Sequence, residues 1–400
     1  MLVPSRRASL AALKRPFLFL AAALVVAGCS SLGGHASAAR RAAPLPALYV
    51  SPTGVDGRGC TANAPCASFD AAYHAARPGQ VVLVGDGAYG EQVIDVDATK
   101  TSKTKVVFEP AVGAAPTVAG LTVYGSHVEF ENLAIGVWAT RDTASDVIFF
   151  NVRATHMFMT SSTDISVIRG SIGPSTDDDN GDISPQCPSC PPPRRILIDG
   201  VTFHDAVLTP GSDAHVECLQ VGEVDGLTIR NSRFVNCETH NVFISPWWGG
   251  DERNILLVNN FGGTVRTGYY GFRLAAGDPG QTCANIFFRY NSATTAYLIQ
   301  CGKVEGQVQM TANVGPLSAV ACFPFITFRY NVFDGAKCGP TDRNARSGFV
   351  DAAASDLHLL PTSAAVGHGD PKSFPVRDID GHRRPIVRGR KPDAGAAQLR

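Results

Sequence analysis

One stretch of this sequence decides the fold: Ile196-Leu-Ile-Asp-Gly-Val-Thr-Phe203. It returns as Leu227-Thr-Ile-Arg-Asn-Ser-Arg-Phe234, with alternating apolar residues, then a glycine or asparagine, then an aromatic residue. Such alternation is typical of a strand with one buried face. Similar strands begin at Val81, Val106, Val128, Val147, Ile165, Ile196, Leu227, Ile255, Ile286, Val308 and Ile326. Their starts lie roughly 18 to 31 residues apart, an interval that predicts the coils of an all-β parallel solenoid.

Asparagine or glycine lies where each coil must bend after its strand. Gly200, Asn231, Asn259-Asn260, Asn291 and Asn331 all fall within about one position of that bend. Both residue types tolerate the left-handed backbone of a tight corner, and stacked asparagine side chains can bond along the solenoid axis. A β-sandwich would instead place Asn-Gly or Asp-Gly hairpin turns between strands at shorter spacing. The pattern therefore favours a solenoid.

The N-terminal end of this region predicts a cap. Ser68 precedes a short helical pattern in which Phe69, Tyr73 and Ala76 share one face, and Pro78-Gly79 turns the chain towards the first coil. With this cap and its Pro392-Asp-Ala-Gly-Ala396 tail, the region 47–400 resembles the right-handed parallel β-helix group that includes pectate lyases. The resemblance implies that fold with a short capping helix, and a polysaccharide as the partner. It does not specify the chemistry, because many functions occur on this scaffold.

The first 28 residues predict an export signal. Basic residues precede the apolar run Phe17–Cys29, which is too short to span a bilayer. Its end, Val26-Ala27-Gly28-Cys29, resembles the lipobox of bacterial lipoproteins, and this implies a diacylglycerol on Cys29. Residues 29–46 would then be a flexible tether that anchors the protein to the outer face of the cell membrane. The alternative is an ordinary cleaved signal in which Cys29 is incidental.

The charge balance bears on which partners the protein can bind, and the cysteine content bears on its disulfides. The chain has 35 Lys+Arg and 35 Asp+Glu, so the basic field that nucleic-acid binders need is missing. Besides Cys29, ten cysteines remain, an even number that indicates disulfides in an exported protein. Closeness suggests the pairs Cys60 with Cys66, Cys187 with Cys190, Cys218 with Cys237, Cys283 with Cys301, and Cys322 with Cys338. A redox or zinc role for the Cys187/Cys190 motif is the less favoured alternative.

The coils that start near residues 165, 196, 227 and 255 are the longest, and their extra residues predict loops that wall a groove on one flank. In this window His215 and Glu217 would share one face of a strand, and His240 with Asn241 would follow one coil later. We predict catalytic roles for His215, Glu217, His240 and Arg273, with Arg273 neutralising a uronate carboxylate. A binding role, or a ladder of polar residues that pair with one another, are the alternatives.

Aromatic residues in the same window indicate contact with sugar rings. Trp247 and Trp248 lie between a proline and a glycine, in a loop where both are hard to bury together. Tyr269 and Tyr270 follow one coil later and would extend the platform, with Asn241 as a further contact. Packing of the tyrosines between coils, or of one tryptophan on the flank, is the alternative.

The acidic run Asp177-Asp-Asp-Asn-Gly-Asp182 is a poor match to a calcium loop, because its glycine is misplaced for an EF-hand. We therefore expect a solvated loop and no metal or other cofactor, with Ca²⁺ as a weak alternative. The motifs of polygalacturonate hydrolases have no counterpart in the coils. The sequence predicts an exported, lipid-anchored, monomeric protein that engages a polysaccharide or other glycan, as a lyase or glycoside hydrolase. The competing interpretation is a non-catalytic glycan-binding, adhesive or structural surface protein.

Overall fold

The protein is a right-handed parallel β-helix, as the strand spacing predicts. The computed structural model describes residues 45–268, 270–385 and 389–400. Among these residues, twelve parallel strands stack into one sheet, the first ladder. Its strands are Leu48–Val50, Val81–Val84, Val106–Pro110, Ser126–Glu131, Ser145–Phe150, Thr163–Ile168, Arg194–Asp199, Asp225–Arg230, Glu252–Val258, Thr282–Arg289, Lys303–Thr311 and Thr327–Arg329. Each recurring strand of the sequence falls on this ladder.

Two further parallel ladders complete each coil. They are joined in the early strands Ala88–Ile94, Thr117–Val123 and Ala134–Arg141, and separate after the last of these. The second ladder continues through Arg153–Ala154, Ser171–Ile172, Ser175–Thr176, Thr202–Val207, Arg233–Cys237, Phe261–Gly262, Ser292–Ala293, Val314–Pro316, Val332–Asp334 and Arg343–Asn344. The third ladder continues through His156–Thr160, Gly181–Ser184, Gln220–Val221, Val242–Ile244, Tyr270–Ala276 and Ala296–Cys301. A coil therefore runs from the first ladder to the second and then to the third.

The capping helix spans Phe69–Ala75, and Ser68 caps it by accepting the backbone N–H of Ala71. Its buried face carries Phe69 and Tyr73. The Phe69 ring stacks on that of Phe108 with centroids 5.0 Å apart, so the helix closes the open end of the core. This arrangement confirms the predicted N-terminal cap.

Aligned side chains fill the core because successive coils keep the same register. Phe108, Phe130 and Phe149 occupy equivalent inward positions, and adjacent rings stack at 5.4 and 5.3 Å. These separations are close to the spacing of neighbouring strands, about 4.8 Å. One inward apolar residue per coil thus produces a continuous column.

A buried asparagine ladder forms the corner between the first and second ladders in the later coils. The Nδ2 of Asn260 donates to Oδ1 of Asn291 at 3.0 Å, and Asn291 donates in the same way to Asn313 at 3.0 Å. Asn313 continues the ladder to Asn331 at 3.1 Å. The residue before each corner has a left-handed backbone: Asn259 has φ 65°, but Tyr290 has φ 53°. The predicted stacking is therefore present, one residue after the left-handed position.

Within the described chain, five disulfides have the predicted pairing: Cys60–Cys66, Cys187–Cys190, Cys218–Cys237, Cys283–Cys301 and Cys322–Cys338. Cys29 and most of the proposed tether lie outside the described residues.

The C-terminal residues return along the outside of the second ladder. A 3₁₀ turn at Ala319–Ala321 precedes the last coils, and Phe349–Asp351 pairs antiparallel with Asp356–Leu359. Beyond them, the guanidinium of Arg384 donates to Oδ1 of Asn259 at 2.7 Å. In the described ranges no helix has the length and apolar character needed to cross a membrane.

Candidate functional site

The outward side of the third ladder has loops along both of its edges. Long connections leave the coil before this ladder at residues 208–219 and 263–268, and after it at 185–193, 245–251 and 277–281. The long loops therefore leave the coil at the two corners that border this ladder, and they stand on either side of its outward face. Paired in register across the ladder are Phe158, Asp182, Gln220, Phe243, Arg273 and Leu298.

His215 and Glu217 belong to an extended loop, which corrects the prediction that they share a strand face. Residues 212–219 have no regular secondary structure, and the strand begins at Gln220. The Glu217 side chain is 0% exposed, whereas that of His215 is 57% exposed. The loop nevertheless curls so that Nδ1 of His215 lies 2.9 Å from Oε1 of Glu217. A partly exposed imidazole thus covers a buried carboxylate.

His240 reaches the same carboxylate oxygen from the next coil. The backbone N–H of Thr239 donates to the carbonyl of Val216 at 3.1 Å, which joins the two segments. As a result, Nδ1 of His240 lies 3.1 Å from Oε1 of Glu217, and the Thr239 hydroxyl donates to the same oxygen at 2.9 Å. The two imidazole centroids are 6.0 Å apart, so the expected closeness of His215 and His240 is present. We call His215, Glu217, Thr239 and His240 the Glu217 cluster.

Asp179 joins this cluster, although sequence reasoning assigned it to a solvated loop. Its Oδ1 accepts the backbone N–H of Glu217 at 2.6 Å. Burial and the neighbouring charge of Glu217 raise the pKa of Asp179. Burial alone would raise the pKa of Glu217 as well, but the hydrogen bond from His240 and the charge of His215 lower it. The two environments therefore favour the proton on Asp179 and the negative charge on Glu217.

Arg273 lies on the outward side of the third ladder and pairs in register with Phe243 of the neighbouring coil. Its guanidinium stacks over Phe243, with Cζ 5.1 Å from the ring centroid, and over Tyr270 at 5.6 Å. The Phe243 ring also stacks on His240 at 4.8 Å, so one aromatic residue contacts both the arginine and the cluster. Among the described residues Arg273 has no carboxylate partner, and its Nε has no hydrogen-bond acceptor. The guanidinium is thus held in place by aromatic rings.

Asn241 faces the interior of the coil, so its predicted contact with a glycan is wrong. It is fully buried, and its Nδ2 donates to Sγ of Cys237 at 3.3 Å. A Cβ added at Gly262 or at Gly271 would lie only 2.7 Å from its Oδ1, so the Asn241 side chain needs glycine at both positions. Tyr270 lies beside Arg273, whereas Tyr269 is outside the described residues.

Trp247 and Trp248 have different surroundings. The Trp247 ring covers Gly222, where an added Cβ would lie 2.7 Å from the indole. Trp248 is 48% exposed and borders a cavity of about 420 Å³ that Arg194 and Glu223 also line. The Glu223 carboxylate holds this loop by accepting the backbone N–H of Trp248 at 2.7 Å. Trp247 is itself 37% exposed, so both indoles keep an exposed part and Trp248 is the more exposed of the two.

Two groups of side chains have the geometry of metal ligands. In His215, Glu217 and His240 the potential ligand atoms lie within 4.8 Å of one another, and the same holds for Asp378, Asp380 and His382. In the second group Asp378 accepts backbone N–H groups, and Asp380 pairs with Arg233 at 2.7 Å. Its oxygens are therefore already used by the protein.

The carboxylates of the acidic run 177–182 turn to separate partners. Asp177 accepts from Thr209, Asp178 lies 3.6 Å from His156, Asp179 accepts from Glu217, and Asp182 accepts from Ser184. They do not converge on one point as the ligands of a calcium loop would.

Comparisons with known proteins add fold likeness only. No family model and no curated protein matches the sequence. A pectate lyase, Pel9A, superposes with a TM-score of 0.40 and 14% identity, over 88% of this chain and 96% of that one. A rhamnogalacturonan lyase gives 0.36 and 13%, over 76% and 90% of the two chains. PfbA, a surface adhesin of Streptococcus pneumoniae, gives 0.36 and 11%, over 66% and 74%. These values are too low for any functional argument.

Proposed function

We propose that this protein binds an acidic polysaccharide outside the cytoplasm, along the outward side of the third ladder. The observation that carries the proposal is Arg273, a guanidinium stacked between Phe243 and Tyr270 with no carboxylate partner among the described residues. Arginine binds carboxylates through two parallel hydrogen bonds, and its stacking on aromatic rings fixes the plane in which they form. A uronate carboxylate fits this requirement.

Trp248 supports a carbohydrate in particular. Its indole lies at the edge of the same ladder and is 48% exposed. Sugar rings pack against such aromatic faces through contact area. Arg273 would therefore select the charge of the glycan, and Trp248 would hold a neighbouring sugar.

Cleavage of the bound polysaccharide is the second candidate function, and the Glu217 cluster is the observation in its favour. Glycoside hydrolases hold two carboxyl groups roughly 5 to 9.5 Å apart on either side of the scissile bond. The carboxyl groups of Asp179 and Glu217 are instead within hydrogen-bonding distance of each other, and Glu217 is fully buried. Lyase chemistry on a uronate is the better fit, since it requires a partner for the carboxylate and proton transfer beside it.

The test is a screen of the mature protein on acidic and neutral polysaccharides, with binding and product formation measured separately. We expect binding to the acidic ones, and Arg273→Met should weaken it at least tenfold, about 1.4 kcal/mol. Arg230→Met is the matched control, because that arginine pairs with Asp199 on the first ladder. Equal binding by the Arg273→Met variant and the parent would contradict the proposal.

Product analysis separates the two functions. Unsaturated ends would support a lyase, and new reducing ends without unsaturation would support a hydrolase. Binding with neither product would leave the non-catalytic alternative, a surface protein that adheres to glycans.

The extracellular site of action rests on two features. Five disulfides in the described residues favour an oxidising compartment, since cytosolic proteins rarely keep them. The lipobox-like sequence ending at Cys29 supports a lipid anchor.

A further inference from the structure

We infer that His215, Glu217 and His240 bind a divalent transition-metal ion, with Zn²⁺ as the reference ion. The role assigned to this ion, a contact for the acidic glycan, rests on the function proposed above. The binding of the ion does not, because it follows from the three side chains alone.

The ligand atoms already have almost the separation that a metal requires. Nδ1 of His215 and Nδ1 of His240 lie 2.9 and 3.1 Å from Oε1 of Glu217. Zinc bonds of about 2.0 to 2.1 Å at tetrahedral angles place ligand atoms roughly 3.3 to 3.4 Å apart. The ligand nitrogens of the two imidazoles lie within 4.8 Å of each other, so rotation of the exposed His215 ring would bring all three separations into the range that admits the ion.

The Glu217 carboxylate is buried, and its two oxygens have unequal hydrogen bonding. Its Oε1 faces His215, His240 and Thr239, whereas the buried Oε2 has no partner among the described residues. Leaving a buried carboxylate oxygen without a partner costs free energy. A cation within this group would neutralise the buried charge.

The donor set selects the class of metal. Two imidazoles and one carboxylate suit Zn²⁺ and its transition-metal neighbours, whereas Ca²⁺ requires six to eight oxygen ligands. The Phe243 ring packs on His240 at 4.8 Å and meets His215 edge-on at 5.8 Å, which limits the positions of both imidazoles.

Three protein ligands leave at least one position open, which is the arrangement of catalytic rather than structural zinc sites. His215 is 57% exposed, so solvent reaches one side of the three ligands. A carboxylate or hydroxyl oxygen of a bound glycan could therefore complete the coordination of the ion, near the carboxylate held by Arg273.

The experiment is titration of the untagged, oxidised mature protein, stripped with chelator, with Zn²⁺ alone in a calorimeter, together with metal analysis after dialysis. We expect one equivalent with micromolar or tighter affinity and a rise in melting temperature. His215→Gln and Glu217→Gln should each weaken binding by roughly tenfold or more. His204→Gln is the matched control, because its Nδ1 contacts a single carboxylate, Asp205, at 2.8 Å. Excess Ca²⁺ should not displace the zinc.

The outcomes are decisive even if Glu217→Gln fails to fold, because the exposed His215 can be replaced without disturbing the core. Absence of stoichiometric Zn²⁺ binding, or equal binding by the His215→Gln variant and the parent, would overturn the inference. If the protein binds no zinc but still binds glycan in the presence of chelator, the metal site is refuted and the proposed function stands. Zinc binding by a protein that binds no glycan would refute the proposed function and keep the metal site.

Discussion

Trp247 and Trp248 are neighbours in the sequence, yet their environments assign them different tasks. Trp247 lies against Gly222, a contact that only glycine allows, since a Cβ there would lie 2.7 Å from the ring. Trp248 projects further and is 48% exposed. Trp247 therefore packs on the coil although it keeps 37% exposure, and Trp248 offers the larger exposed area to a ligand.

Separate substitutions should reveal this division. We predict that Trp247→Ala lowers the free energy of unfolding by about 1 to 3 kcal/mol, because a partly buried indole loses its packing. Trp248→Ala should leave stability within about 0.5 kcal/mol and weaken glycan binding. Urea unfolding and binding isotherms of the two variants check the prediction. A large loss of stability in Trp248→Ala would remove that residue from the binding surface.

Glu252 is a buried acid that should make stability depend on pH. Its side chain is 0% exposed, Oε2 accepts the N–H of Val224, and Oε1 has no partner among the described residues. Burial, with the nearby charge of Glu223, raises its pKa well above the usual value of 4.5. Above pH 4.5 the folded state keeps a proton that the unfolded state loses. The free energy of unfolding therefore falls as pH rises above 4.5.

We therefore predict that Glu252→Gln raises the melting temperature at pH 7 to 8 and has little effect near pH 4. The gain corresponds to relief of an unfavourable buried acid, about 1 to 3 kcal/mol. Glu305→Gln is the control, because that exposed carboxylate pairs with Lys303 and has a lowered pKa. A gain that is constant across this pH range would contradict the explanation.

At the scale of elements, the asparagine ladder is the main polar component of the later coils. Asn291 accepts the backbone N–H of Asn260 at 3.1 Å and its Nδ2 at 3.0 Å, and donates to the carbonyl of Leu257 at 2.9 Å. We predict that Asn291→Ala lowers the free energy of unfolding by about 2 to 4 kcal/mol, since buried donors and an acceptor lose their partners. Denaturant titration measures the change.

Gln309→Ala is the control for this substitution, because it removes an amide whose bond to Gln307 is exposed. It should cost less than about 0.5 kcal/mol. Equal losses for the two variants would mean that the ladder contributes nothing beyond an ordinary surface amide.

The ladder also illustrates what the sequence could predict. Strand positions were predictable because inward apolar residues repeat once per coil, and so were the N-terminal cap and the disulfide pairs. The left-handed residue was predictable at Asn259 but not at Tyr290, since a tyrosine seldom adopts positive φ. The bonds of the following asparagine to neighbouring coils hold Tyr290 in that conformation.

The candidate site was harder to predict because its residues lie in loops. The proximity of His215 to His240 follows from one coil of separation, which loops do not alter. The burial of Asn241 and the turn of Asp179 towards Glu217 depend on the direction of individual side chains. A shift of one residue moves a side chain to the opposite face, and no repeat fixes that register in a loop.

At the scale of the whole molecule, the C-terminal tail joins coils that lie far away in the sequence. Arg384 is buried, stacks on Tyr290, and donates to Asn259 and to the carbonyl of Gly395. We predict that Arg384→Met lowers the free energy of unfolding by about 2 to 4 kcal/mol, as several buried acceptors lose their donor. Thermal melting of the variant measures the change. The adjacent Arg383 is exposed, so Arg383→Met should have little effect on melting. Similar melting of both variants would contradict this role of the tail.

Membrane attachment is predicted to depend on one atom, the sulfur of Cys29. The Cys29→Ala precursor should not receive a diacylglycerol and should leave the membrane fraction, because a single residue carries the proposed anchor. Fractionation followed by a high-salt wash checks this outcome. A variant that stays tightly bound after the wash would rule out the lipid anchor.

The disulfide between Cys218 and Cys237 affects when the Glu217 cluster can be fully assembled. Cys218 directly follows Glu217, and Cys237 comes three residues before His240, so the disulfide fastens together the two segments that carry the Glu217 cluster. Thiols stay reduced in the cytosol, so on the proposed export route this disulfide would form only after export. The Glu217 cluster of the newly made chain would thus stay unfastened inside the producing cell, and oxidation on the far side of the membrane would complete its assembly.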